Sequence, residues 1–380
     1  MHPALDPSGE PDGLLELFLR LAAVPSPSGS ERAVADLVTA ELTAAGLEVV
    51  EDDAAAAVGG ECGNLVVDVR GRGEGTPILI AAHLDTVAVS GEIVPVVEGG
   101  VVRSAGETIL GADDKAAVAA LVLTLCELAR RPPACGVEAV FTVAEEVGLR
   151  GAAALDVGRF RARAGFVFDT AGPVGEVVVR APVQKTVAAV FRGVAAHAGI
   201  APEKGRSAVL AAARAVAAMD LGRLDDETTA NVGRIEGGVA TNIVPDRCEL
   251  VAEVRGHDAA RVAESVAAMI EALQTGAALS GVDVEVSVGE AFAAFALSET
   301  DLPVRIAGAA LRAAGIDPRP AGGGGGSDAN VFNARGLPSV NLSVGMEDVH
   351  SPAESMPVAR LHEARRVMRA LVDAAAVTAA

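Results

Sequence analysis

Apolar residues recur with the spacing of one helix face over positions 12–23, 30–46, 114–131, 207–219, 258–280, 301–314 and 358–376. Between them lie short runs dense in Val, Ile, Leu and Phe: NLVVDV, PILIAAHLD, EAVFTVAEE, GFVFDT, EVVVR, TVAAVFRG, CELVAEVRG, VDVEVSV and SVNLSVG. Each has the length and bounding residues of a single strand. Strands and helices alternate through position 180, which predicts an α/β architecture, a mostly parallel or mixed sheet flanked by helices. From about 182 to 293 the order becomes strand, helix, strand, strand, helix, strand, that of a smaller α+β sandwich. The α/β rhythm then returns. We therefore expect a discontinuous catalytic domain, residues 1–181 and 294–380, interrupted by an inserted domain at 182–293.

Composition narrows the classes. A chain of 380 residues favours two domains over one. Hydrophobic residues make up 51% but aromatics only 2%, with no Trp or Tyr, so the core is built from Ala, Val and Leu and offers no stacking platform for bases. A net charge of -20 and a pI near 4.7 repel phosphate backbones and anionic lipid, and neither nucleic acid nor membrane is an expected partner. The opening MHPALDPSGEPDG has no basic region followed by an apolar stretch, and the expected localisation is cytoplasmic. Cys62, Cys126, Cys135 and Cys248 form no CxxC pair and are expected to be free thiols.

The chemistry gathers where predicted strands end. His83 and Asp85 follow PILIAA and, two apart on a strand, share one side; this suits an imidazole metal ligand oriented by a carboxylate. Asp113 and Asp114 open a predicted helix, where acids also serve as plain N-terminal caps. Glu145 and Glu146 close the run EAVFTVA, and strand alternation would aim one at a metal and the other at water as general base. Asp169 follows the buried run GFVF, and His350 sits in the polar turn EDVHSPAE. Each station alone reads as well as a satisfied histidine, a cap or a solvated acidic turn. Together they supply two imidazoles and at least three carboxylates, an N/O donor set for Zn, Mn or Co. The run Gly322–Gly326 before Ser327 and Asp328 reads first as a flexible loop. It lacks the Lys-Ser/Thr of a phosphate loop.

HxD, then ADxK, then EE, then an acid after a strand, then a distal His, in this order across essentially the whole chain, resembles the M20 metallopeptidase family. GADDKAA, AEEVGLRGA and an Asp rather than Glu at the fourth station are most similar to its peptidase T-like, tripeptidase and aminopeptidase branch. The resemblance implies two divalent metal ions, Zn first, with His83 and Asp169 on one, Glu146 and His350 on the other and Asp113 bridging them. Asp85 would orient His83, and Glu145 would be the general base and acid. It also implies a cis Asp113–Asp114 peptide. The insertion would be a lid or dimerisation domain hinged near 181–183 and 293–298, making a homodimer possible. Within it VAAHAG followed by Pro202 resembles the motif whose histidine, here His197, polarises the scissile carbonyl. Asn242 and Arg255 would hold the substrate, as would Gly324, Gly325, Gly326 and Ser327 in the glycine loop. The implied activity is cleavage of a peptide bond in small peptides. The alternatives are an amidohydrolase of N-acyl or N-carbamoyl amino acids using the same site, or a metal-binding protein of this fold without catalysis. His2, His257 and His362 match nothing in the pattern.

Overall fold

The computed structural model describes residues 12–378; the stretch read above for a leader, with His2, lies outside them. The chain divides into two compact units, Met1–Arg180 with Phe295–Ala380, and Ala181–Ala294.

The first unit is built on a nine-stranded sheet. Its core strands are β1 (Leu65–Val69), β2 (Ile78–His83), β3 (Val137–Thr142), β4 (Ala164–Thr170) and β5 (Glu176–Ala181). Every residue of β2 and β3 is buried, as expected of strands covered on both faces, which read as continuous apolar runs rather than alternating ones. Three helices supply much of the cover: α1 (Gly13–Ala22), α2 (Arg32–Ala44) and α3 (Ala112–Arg130). The last is buried along most of its length, and its Ala-rich face lies in the core against the sheet.

The second unit is a five-stranded antiparallel sheet. Its long strands are β6 (Val183–Arg192), β7 (Thr228–Gly237), β8 (Arg247–Gly256) and β9 (Asp283–Phe292). Here burial alternates along β8, because helices cover only one face. Those helices are α4 (Ala208–Ala217) and α5 (Ala259–Ser280). They pack closely: a Cβ on Gly276 would stand 2.6 Å from the Ala211 carbonyl oxygen.

The chain then returns to the first unit with α6 (Leu302–Ala313), α7 (Asp328–Ala334), β10 (Ser339–Ser343) and α8 (Val358–Val377). Across the sheet the order β1, β3, β2, β4, β10, β5 holds, with β3, β2, β4 and β10 mutually parallel. Four neighbouring strands therefore deliver their C-terminal ends to one edge, where open α/β sheets build their sites. Among the described residues no helix is long and apolar enough to cross a membrane, and all four cysteines are unpaired and buried.

Candidate active site

That edge gathers the acids and imidazoles of the first unit. His83 is the last residue of β2, Asp169 lies near the end of β4, and Glu145 and Glu146 follow β3. Asp113 opens α3, and His350 sits in the loop after β10 with φ at 62°. His83 Nε2 stands 3.3 Å from Asp113 Oδ1 and 3.6 Å from Asp169 Oδ1. His350 Nε2 stands 3.1 Å from Asp113 Oδ2 and 2.9 Å from Glu146 Oε1. Asp113 thus gives one oxygen to each imidazole.

These approaches are close but are not all hydrogen bonds. Asp113 Oδ1 and Glu146 Oε1 are buried without an aligned partner among the described residues, although a ring nitrogen is near each. Ligand atoms of His83, Asp113 and Glu146 lie within 4.8 Å of one another. Buried acceptors left unmatched are costly, and converging N and O atoms aimed at common points fit a hard or borderline divalent cation.

The ionisation of the cluster follows from its crowding. Burial works against charge on Asp113, but the contacts with His350 and His83 outweigh it and hold the carboxyl at about 2. His350, half exposed, is pulled up to about 10 by Asp113 and Glu146. Burial and the neighbouring charge of Asp169 push Glu145 well above the ordinary carboxylate range, the direction required of a group that must carry a proton near neutrality.

Asp85 stands beside His83 as expected and has a second task. His83 Nδ1 meets the backbone oxygen of Asp85 at 2.9 Å, while the carboxylate is farther, at 3.6 Å. The carboxylate instead accepts the backbone N–H groups of Glu145 (2.9 Å) and Glu146 (3.1 Å) and the Ser28 hydroxyl (2.6 Å). Strand alternation is also not what separates the two glutamates. β3 ends at Thr142, and Ala144, with φ at 51°, turns the chain before they are reached. The Asp113–Asp114 peptide is cis.

Further residues brace the site. Glu354 is buried and accepts the N–H groups of Leu110 (2.8 Å), Gly111 (2.8 Å) and Asp113 (3.0 Å), fixing the entry to α3. Asn341 accepts the Asp169 N–H at 3.0 Å. Asp114 accepts the His83 N–H at 3.1 Å. Lys115 is fully buried and donates to the Val24 carbonyl at 2.5 Å. Asp114 and Lys115 belong to the GADDKAA segment and Glu354 lies four residues beyond His350, so only Asn341 stands outside the segments the motif marks.

In the glycine loop Gly324 and Gly325 are exposed, Gly326 is half-buried, and Ser327 is buried as the N-cap of α7, in a reciprocal cap with Asn330. Asp328, next along, is buried and accepts the Thr142 hydroxyl at 2.5 Å. In the second unit His197 is exposed and bridges Ile243, and the Ala198 N–H donates to the Asn242 carbonyl at 2.9 Å, so His197 and Asn242 share one corner. Arg255 on β8 is forked onto Glu253 by Nε at 2.8 Å and Nη2 at 3.1 Å.

Comparison with known proteins points to the family that the motifs resemble. Residues 184–278 match the peptidase dimerisation domain of the M20 family, and residues 64–204 match a model of peptidase family M28. The chain is 39% identical to the Bacillus subtilis (strain 168) protein YqjE over 96% of this chain and 98% of that one. The crystal structure of aminopeptidase PepT from Bacillus cereus aligns at 40% identity and a TM-score of 0.83, covering 96% of this chain and 98% of its own. A tripeptidase from Staphylococcus aureus aligns at 36% identity and a TM-score of 0.88 with the same coverage. On these relatives, the fold and the motifs, the chain belongs to the M20 metallopeptidases, in their peptidase T-like branch.

Proposed function

We propose that this chain cleaves a peptide bond of di- or tripeptides, acting as an aminopeptidase-like enzyme with two divalent cations. The observation that carries the two-cation reading is the position of Asp113, one carboxylate oxygen facing each imidazole. His83 and Asp169 would hold one cation, Glu146 and His350 the other, and Asp113 both. Such cations lower the pKa of water and polarise a carbonyl. Zn is our first choice, with Mn and Co compatible with the same donors.

The protein's own groups do the rest. Glu145, buried and pushed toward carrying a proton, takes one from the attacking water and hands it to the leaving amine. Asp85 accepts the N–H groups of both Glu145 and Glu146, fixing backbone from which the base and the adjacent ligand project. His197 would donate to the developing oxyanion. Asn242, Arg255, Gly325, Gly326 and Ser327 would seat the substrate, Arg255 by its two-pronged fork. An aminopeptidase and a tripeptidase among the relatives support short peptides as the substrate class. The dimerisation domain at 184–278 supports a homodimer, and four unpaired thiols support the cytoplasm.

Assay of chelated protein, with Zn, Mn or Co restored singly, against di- and tripeptides and N-acyl and N-carbamoyl amino acids tests the proposal. Turnover restored by a cation on peptides is the expected result. Turnover confined to the acylated or carbamoylated amino acids would replace it with the amidohydrolase reading. Full activity after chelation would overturn the metal mechanism.

A further inference from the structure

Glu145 hangs from a stretch of backbone that no strand secures. Beyond Thr142, four successive N–H groups each donate to a side chain from elsewhere in the unit. Val143 donates to Asn64 Oδ1 (3.1 Å), Ala144 to Glu31 Oε1 (3.0 Å), Glu145 to Asp85 Oδ1 (2.9 Å) and Glu146 to Asp85 Oδ2 (3.1 Å). The turn is also closed from behind. A Cβ on Gly151 would lie 2.1 Å from the Val143 carbonyl oxygen, so only glycine fits there.

Ala144 is the strained link. Its φ of 51° is the left-handed region, which a non-glycine residue holds only where its surroundings impose it. Glu31 takes its N–H. That carboxyl is fully buried, its Oε1 also accepts the Gly29 N–H at 2.8 Å, and its Oε2 has no partner among the described residues. It makes no ion pair among them. A buried carboxyl without a cation is expensive to keep, and here it serves as an acceptor that reaches from the start of α2 to the residue preceding the base.

We propose that Glu31 is the positioning residue for Glu145, holding Ala144 in its left-handed turn so that the Glu145 carboxyl faces the Asp113 and His83 cluster. The inference rests on the reading of Glu145 as general base. Without the Glu31 acceptor, Ala144 relaxes toward negative φ and the next side chain swings away. Misplacement of a reacting group by about 1 Å costs on the order of a hundredfold in rate.

Two variants separate reach from charge. Glu31→Asp keeps the charge but retracts the acceptor by about 1.5 Å, one carbon–carbon bond. Glu31→Gln keeps the oxygen in place and removes the charge. Burial pushes the Glu31 carboxyl up, and the amide keeps an acceptor oxygen at the same reach. In the metal-loaded enzyme Glu31→Asp is expected to lower kcat roughly ten- to a hundredfold, with KM and bound metal within about twofold. Amide hydrogen exchange at Ala144 should quicken in the same variant. Glu31→Gln should keep at least about half of kcat and normal exchange. A Glu31→Asp enzyme with unchanged kcat, or a Glu31→Gln enzyme as slow as Glu31→Asp, overturns the proposal. Glu145→Gln is run beside them. If it stays active, the base reading falls and this inference with it; if it is dead while Glu31→Asp is fully active, only the positioning role falls.

Discussion

The candidate site of the first unit and the open sheet face of the second treat charge in opposite ways. In the first, His83, Asp85, Asp113 and Glu145 are all less than a tenth exposed, and Asp85, Asp114 and Glu354 accept backbone N–H groups. In the second, Arg234–Glu236, Arg247–Glu249 and Glu253–Arg255 are pairs two residues apart on one strand, on the sheet face that helices leave open. A buried group whose every bond is fixed cannot relax, and that preorganisation is what acid–base and metal chemistry requires. A solvated pair is held by about 0–1 kcal/mol and changes partners easily, which suits recognition. Damage in the first unit should therefore strike kcat and metal content, and damage in the second should strike substrate binding or a single transition-state contact, with stability untouched.

The largest effect belongs to the buried cluster. Asp113→Ala removes the one carboxylate that both imidazoles share, and is expected to lose bound metal, read by elemental analysis, together with all measurable turnover. Glu145→Ala should retain metal and lower kcat by about 10²–10⁴. A Glu145→Ala enzyme that stayed fast would end the contrast, because the first unit would then hold nothing that only chemistry needs. His197→Ala comes next. The side chain is exposed, so the melting temperature should not move, yet kcat should fall about 10²–10³-fold if it meets the oxyanion. Unchanged kcat would reduce that corner of the second unit to scaffolding.

Much of the first unit is legible because burial on both sheet faces writes itself as unbroken apolar runs, and ILIAAH and VEAVFT say where the strands lie and, to within a few residues, where they stop. The metal-ligand candidates stand at those stops. What the sequence hid is the work done across the chain. The turn at Ala144 has no Gly or Asn to announce it, so the sequence reads as strand past the true end of β3. Asp85, Glu354 and Glu31 accept backbone N–H groups 60–61, 241–244 and 113 positions away, a relation that no local spacing encodes. β7 enters the predicted order of the insertion without an apolar run to place it: its second half is exposed and charged, and pairing with β8 supplies its order. Short strands such as Val49–Glu51 are likewise fixed by a neighbour rather than by their own residues.

The smallest expected effect is the most discriminating for the second unit. The Arg255 fork is occupied by Glu253 through two hydrogen bonds, and Glu253 also accepts from Gln184 Nε2 at 2.9 Å. The same two N–H groups cannot clamp Glu253 and a substrate carboxylate at once, so binding must displace the internal partner. Both side chains are about one third exposed, which places the pair at the weak end of ion-pair strength, about 0–1 kcal/mol. Glu253→Gln leaves Arg255 in place and weakens its competitor. KM should therefore fall by up to about fivefold, the equivalent of about 1 kcal/mol, with kcat and melting temperature unchanged. Arg255→Ala should raise KM about tenfold, in keeping with the loss of a charge-assisted pair. If KM is indifferent to both substitutions, Arg255 belongs with Arg234 and Arg247 as one more solvated strand pair, and recognition of the substrate carboxylate must be sought on another side chain.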